Sequence, residues 1–182
     1  RKLINDEKVD DIDLSINLKP ENIIEILKKN NINFYETGID HGTITAVIDK
    51  ISFEITSLRK DVKTDGRHAQ VKYTKNWLED ASRRDFTINA IYADIDGNLF
   101  DPFNGKKDLN NGLIKFIGDP TTRIKEDYLR ILRYIRFFLG YSRNQHNKNT
   151  VKIIKKNLSG LKKVSKERQL QELKKILSIE SF

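Results

Sequence analysis

Neither cysteine nor methionine occurs among the 182 residues. Without thiols there is no disulfide framework and no thiolate metal site. With no methionine and with Arg1 first, the sequence is expected to be less than an open reading frame read from its initiator. Three prolines and nine glycines are scattered, which excludes collagen-like and low-complexity classes. No uninterrupted apolar run approaches the roughly 18 residues that span a membrane, and no secretory signal is visible. The expectation is a folded chain without a membrane, with the cytoplasm as default compartment. His41, His68 and His146 are too dispersed to suggest a zinc site.

What is present is unevenly charged. From Tyr141 to Phe182 there are eleven Lys/Arg against three Asp/Glu, which equals the whole net charge of +8; the remaining 23 basic and 23 acidic residues cancel. A neutral part carrying a basic segment favours a polyanionic partner, although a lysine-rich solvated helical surface accounts for the same imbalance.

Lys8 to Leu18 alternates like a strand, with Val9, Asp11, Asp13 and Ser15 on one face and Ile12, Leu14 and Ile16 on the other. Pro20 and Glu21 open a helix over 22–30 with Ile23, Ile24, Ile26 and Leu27 as its apolar stripe. Residues 42–58 read as two strands joined near Asp49-Lys50. Residues 61–68 are polar, contain Gly66 and read as a flexible loop. Residues 78–90 read as a helix, and 91–99 as a hairpin turning at Asp96-Gly97-Asn98. Beyond Gly118-Asp119-Pro120 the pattern is helical: one helix over about 123–139, then 151–158 and 166–179. The whole is an α/β part to about residue 117 followed by an all-α basic part.

Asp11 and Asp13, two apart on a strand, project from one face with Ile12 anchoring the other. Carboxylates that close repel unless a cation neutralises them, and an oxygen-only set suits Mg²⁺. In 51–58, Phe53 and Ile55 share a face and Glu54 takes the other, ready to join the pair in a two-metal type of phosphoryl or nucleotidyl transfer. The same three acids also suit solvent-facing positions of half-exposed strands. Arg83-Arg84-Asp85 sets two guanidiniums, suited to phosphates, beside a carboxylate that, like Asn89, suits ribose hydroxyls; alternatively Arg84 and Asp85 pair within a helix. Asp127, Arg130, Arg133 and Arg136 step by three along one expected helix. Each step turns about 300°, so the four cannot share one task. Asp127 and Arg130 form either an intrahelical ion pair or an acceptor–donor set able to read the pairing edge of cytosine or adenine.

The run Arg83-Arg84-Asp85-Phe86-Thr87-Ile88-Asn89-Ala90 closely resembles a signature of the class II tRNA nucleotidyltransferases, the CCA-adding enzymes and their bacterial poly(A) polymerase relatives. Asp11-Ile12-Asp13, the Phe53–Leu58 run, Asp101-Pro102-Phe103-Asn104-Gly105 through Leu109, Glu126-Asp127-Tyr128-Leu129-Arg130, and Ser165–Leu173 resemble the family's other motifs, in family order. The resemblance implies an α/β nucleotidyltransferase head, a small mixed sheet with flanking helices over 1–117, and an all-α neck over 118–182. It also implies catalytic carboxylates Asp11, Asp13 and Glu54, with Mg²⁺ held by Asp11 and Asp13. Nucleotide contact would fall to Arg1, Arg84, Asp85, Asn89, Asp127, Arg130, Arg133 and Arg136. The substrates would be CTP and ATP, and the partner the 3′ end of tRNA. The Asp101–Leu109 motif would be a turn orienting the head against the helices, and the Ser165–Leu173 motif structural. The 61–68 segment matches a loop that relatives adding only CC largely lack. Arg1 matches a family arginine, while the glycine pair that precedes it in the family is absent here and Lys2 stands where the family has aspartate. The alternatives are a poly(A) polymerase of the same family and an inactive RNA-binding fragment.

Overall fold

A computed structural model describes residues 12–65, 68–142 and 144–179. The chain divides into two compact units. Among the described residues, one comprises 12–63 with Gln70–Arg83, and the other Thr64, Asp65, His68 and Ala69 with those from Arg84 onward.

The first unit is a four-stranded mixed sheet, β1 (Asp13–Ile16), β2 (Asn33–Gly38), β3 (Thr43–Ile48) and β4 (Ile51–Ser57), in the order β1-β4-β3-β2. β1 runs parallel to β4, whereas β3 is antiparallel to both β4 and β2. α1 (Pro20–Lys29) has proline in its first turn, where a missing N–H costs nothing. Its Ile23 and Leu27 pack with Ile44 and Ala46 of β3, supported by Ile16, Phe34 and Ile55. Ile26, expected in the apolar stripe, is instead exposed. The β3–β4 turn places Asp49 (φ 50°) and Lys50 (φ 67°) in the left-handed region. Two such residues give the hairpin turn whose twist matches the flanking strands. It is formed here without glycine because the register closes at Ile48↔Ile51.

β5 (Arg59–Asp65) and β6 (His68–Tyr73) form a separate ribbon. The segment read as a flexible loop is therefore mostly strand: a polar run can pair its backbone in a two-stranded ribbon without an apolar signal in the sequence. α2 (Trp77–Ser82) follows, capped by the Asn76 side chain accepting from the Leu78 N–H at 2.9 Å.

α2 ends well short of residue 90. In the second unit, Phe86 is extended (φ −124°, ψ 150°) and bridges Phe116, and a 3₁₀ turn over Thr87–Asn89 follows it: Thr87 N–H donates to Lys115 O and Ile117 N–H to Asp85 O, both at 3.0 Å. Phe86 is 0% exposed and lies 4.7 Å from the Phe116 ring and 5.4 Å from that of Phe137. Tertiary burial overrides the local helical pattern here. β7 (Tyr92–Ala93) and β8 (Leu99–Phe100) make the expected hairpin, with Gly97 at φ 84° in its turn. α3 (Gly105–Asn110) begins where the Asp101 carboxylate accepts from the Gly105 and Lys106 N–H groups.

The helix expected over 123–139 is two helices, α4 (Pro120–Glu126) and α5 (Arg130–Tyr141). Asp127 between them is extended (φ −153°, ψ 107°), and its carboxylate accepts from the Leu129 N–H at 3.1 Å. An aspartate able to satisfy an orphan N–H favours a helix start over helix continuation. α6 (Lys148–Asn157), a 3₁₀ turn over 158–163 and α7 (Lys166–Leu177) complete the unit. Among the described residues no helix is long and apolar enough to cross a membrane.

Gly160 in that turn lies against the Tyr128 ring: a Cβ there would sit 2.0 Å from Tyr128 Cδ1. Gly160→Ala is expected to cost about 1–3 kcal/mol through overpacking, measured by urea unfolding. An unchanged midpoint would show that the ring is free to move aside.

Candidate active site

In the first unit the site is set by strand register. Asp13 and Glu54 are direct partners across the parallel β1–β4 pair, and Thr45 of β3 is the partner of Glu54 on its other side. Partners across a sheet project to the same face, and neighbouring strands lie about 4.8 Å apart. Asp13, Glu54 and Thr45 therefore form one row. The row beside it is Ser15, Thr56 and Thr43, whose two threonine hydroxyls are hydrogen-bonded at 3.0 Å. Ile55 faces the opposite way, into the α1 core. Asp13 and Glu54 are exposed, free to meet a ligand. The expected alternation holds, but Ile12 does not anchor the strand: it is 50% exposed, and Ile16 packs on the core instead. β1 is an edge strand, and the α1 cover reaches only its later residues. Asp11 and Arg1 lie outside the described residues. Among the described residues no group of three or more potential metal ligands is present; Asp13 and Glu54 form a pair, an oxygen-only set compatible with a hard divalent cation.

The other expected residues lie in the second unit, and each is tied to an oppositely charged or hydrogen-bonding neighbour. Asp85, 7% exposed, accepts from Arg133 Nε at 2.6 Å, Asn89 Nδ2 at 2.8 Å and its neighbouring Phe86 N–H at 2.9 Å. It thus pairs with Arg133 on α5 and not with Arg84 in a helix. Arg84 donates to Asn89 O at 3.0 Å and its guanidinium lies 4.7 Å from the Tyr92 ring centre. Thr87, two residues beyond Asp85, donates to Asp108, which also takes Lys115. Gly105 approaches Thr87 so closely that a Cβ would fall 2.2 Å from its carbonyl oxygen. The Asp101–Leu109 motif thus braces the Arg84–Asn89 segment from within the same unit.

Asp127 and Arg130 do not form the intrahelical pair. Asp127 lies outside α5 and is held by Arg168 of α7 (2.7 and 3.3 Å), while Arg130 donates to Glu126 at 2.5 Å and to Arg123 O at 2.9 Å. Arg123 shares Glu126 and reaches Arg84 O and Ile117 O. Arg136 donates to the buried Glu172 of α7 at 2.5 Å and lies 4.2 Å from the Phe137 ring centre. The turn of about 300° per step sends Arg130, Arg133 and Arg136 to α4, to Asp85 and to α7 respectively. Glu126, Arg123, Arg168 and Glu172 are the holders that spacing alone did not single out. For Arg168 and Glu172 the trace in the sequence is their membership of the last motif.

Burial pushes the Asp85 carboxyl upward, but the Arg133 charge and hydrogen bond, with Asn89, outweigh it and hold the group below the usual carboxylate range. Arg133 is correspondingly raised by Asp85 against the lowering effect of its own burial.

Residues 1–115 match the family model described as the Poly A polymerase head domain. The chain belongs to that family. It is 46% identical over 180 residues to the human protein named CCA tRNA nucleotidyltransferase 1, mitochondrial, covering 97% of this chain and 42% of that one. Among solved structures, the Bacillus stearothermophilus CCA-adding enzyme in complex with CTP superposes with a TM-score of 0.86 at 29% identity, over 99% of this chain and 42% of that one. A tRNA nucleotidyltransferase complexed with a primer tRNA and an incoming ATP analogue gives 0.75 at 26% identity, over 98% and 52%. The chain thus spans about two fifths of the length of the curated relative it matches.

A carboxylate with a depressed folded-state pKa contributes stability that is present above its unfolded pKa of about 3.9 and is lost as pH falls through the folded value. Asp85→Ala, which strands Arg133, is expected to cost about 3 kcal/mol at pH 7. The gap between wild-type and variant unfolding free energies should narrow as pH drops below about 4. A gap independent of pH would mean that the Asp85–Arg133 pair does not carry the loss.

Proposed function

We propose that the chain carries the catalytic part of a template-independent nucleotidyltransferase that adds nucleotides from CTP and ATP to the 3′ end of tRNA. The observation that carries the reading is the Asp13–Glu54 row on the polar face of the sheet. In support stand the family assignment and relatives whose names and complexes speak of CCA addition, CTP, an ATP analogue and primer tRNA.

In this reading Asp11 and Asp13 would hold Mg²⁺, with Glu54 as the third catalytic carboxylate beside Asp13, and the ion when bound would supply charge neutralisation and a more acidic primer hydroxyl. The row orients the primer's 3′-oxygen toward the α-phosphate, and pyrophosphate is released. Arg84, with Arg1, binds the phosphates. Asn89 hydrogen-bonds the ribose, and Asp85 acts chiefly by holding Asn89 and Arg133. Asp127 and Arg130 read the base edge, with Arg133 and Arg136 orienting them. Residues 1–117 act as the head and 118–182 as the nucleotide-reading and RNA-facing neck, with the cytoplasm as its place. The mitochondrial designation of the human relative marks an organelle as the alternative.

The test supplies the purified chain with Mg²⁺ and a tRNA trimmed of its terminal CCA, with CTP and ATP offered separately and together. A stop after three added nucleotides is expected. Asp13→Ala is expected to slow incorporation at least about a hundredfold, since it removes several kcal/mol of transition-state stabilisation at about 1.4 kcal/mol per decade; full activity in that variant would sink the carboxylate assignment. The poly(A) polymerase description of the family model favours one competing reading, in which long A tails form on generic RNA.

A further inference from the structure

Arg59 opens β5, two residues beyond the end of the strand that carries Glu54. Its Nε and Nη1 are buried and have no hydrogen-bond partner among the described residues. A buried donor left unpaired bears its desolvation cost in full, and a charged one bears most. Such a group in a folded protein calls for an explanation, an ion among them.

The neighbouring acids do not supply the missing acceptors. Asp80, 1% exposed, takes the Arg59 backbone N–H at 3.2 Å and Arg83 Nε at 2.9 Å, not the Arg59 guanidinium. Arg83 Nε also donates to Arg59 O at 3.1 Å, which draws a second guanidinium to the same spot. Glu79 is engaged by Lys60 and Thr74. Asp61 and Tyr73 act on Arg59 through charge alone. Burial, then the charge of Arg83, lower the Arg59 pKa from its ordinary value. An arginine nonetheless stays charged, so it is relieved by an acceptor rather than by losing its proton, and an anionic acceptor also offsets the charge of Arg83.

We propose that the Arg59 side chain, with Arg83 beside it, is a seat for a phosphate oxyanion. Phosphate fits because it offers several acceptor oxygens and negative charge to fixed guanidinium donors. Sulfur or nitrogen ligands bring neither. The oxyanion belongs to a nucleotide's polyphosphate or to an RNA backbone. That choice of sources rests on the proposed nucleotidyl transfer, while the oxyanion seat itself stands on the geometry of Arg59.

The experiment uses the full chain with ¹⁵N-labelled arginine. Inorganic pyrophosphate, CTP and a CCA-trimmed tRNA are titrated separately while the Arg59 Nε–H resonance is followed, assigned through its own backbone amide. A saturable shift with pyrophosphate is expected, absent with equal ionic strength of chloride. Arg59→Gln is expected to weaken pyrophosphate binding at least tenfold by calorimetry, with Arg59→Lys between the two. Whichever of CTP and tRNA loses the same factor is the source. With no anion present, the melting temperature of Arg59→Gln should equal or exceed that of the wild type, because the variant removes a half-buried charge whose Nε and Nη1 lack acceptors among the described residues. No shift of the wild-type resonance with any of the three probes overturns the proposal, and this reading survives even if the variants fail to fold. Binding of all three within twofold in a folded Arg59→Gln overturns it as well. A chain that extends no tRNA yet shows the pyrophosphate shift would lose the transferase reading and keep the seat.

Discussion

Phe86 lies fully buried among Phe116, Tyr134 and Phe137, and it reaches that position only from an extended backbone. The bridge to Phe116 fixes the direction of the residues on either side. Asp85 is thereby turned inward, where a carboxylate is tolerable only beside a cation. Arg133 meets that requirement from α5, and Asn89 and the Phe86 N–H complete the set of donors. A buried ion pair of this kind adds little net stability over an apolar pair, but breaking it is costly. Its effect is positional: α5, the Arg84–Asn89 segment and the Lys115–Ile117 segment share one arrangement.

The same logic extends outward through α4, α5 and α7. Arg84, Arg130, Arg133 and Arg136, all expected to meet a nucleotide, are each already fixed by an internal acceptor. Whether Asp127 and Arg130 retain capacity for a ligand is a matter of counting. An ionised carboxylate has about four lone-pair sites; Arg168 takes two contacts and the Leu129 N–H one. Arg130 uses only Nη1, for Glu126 and Arg123 O, leaving Nε and Nη2 uncommitted among the described residues. Both side chains are therefore held in place without being saturated. That is the condition for a protein surface to present fixed hydrogen-bonding edges, since an unanchored pair would lose orientation entropy on each encounter.

Three of the sheet's four strands, and Asp13 and Glu54 on them, were legible because strand alternation is a local signal; β2 was not singled out. The Asp13 and Glu54 faces follow from neighbours one residue away. The break at Asp127 was less so: the pattern of apolar residues in 123–139 reads through it, and only the bond from the Leu129 N–H to the carboxylate reveals a new helix start. The end of α2 was hidden for a different reason, because Phe86 leaves the helix to satisfy a partner thirty residues away. The holders Glu126 and Arg168 carry no periodic signature of their own. Ion pairs between separate helices depend on crossing geometry, which no spacing along one chain encodes.

Register ties chemistry to folding in the first unit. β1 is an edge strand of four residues, paired on one side only, by β4. Ile16 packs inward, and its carbonyl accepts from the Leu58 N–H at 2.8 Å. A slip by one residue would turn Asp13 toward the α1 core and Leu14 toward the row of Glu54. Burying that unpaired carboxylate would cost several kcal/mol, so the correct register is selected by the acid as much as by the isoleucine. An exposed Asp13 also blunts an edge that would otherwise invite pairing with another strand. The residue best suited to hold a cation is in this way also one that keeps its own strand in place, and charge and packing at β1 cannot be varied independently.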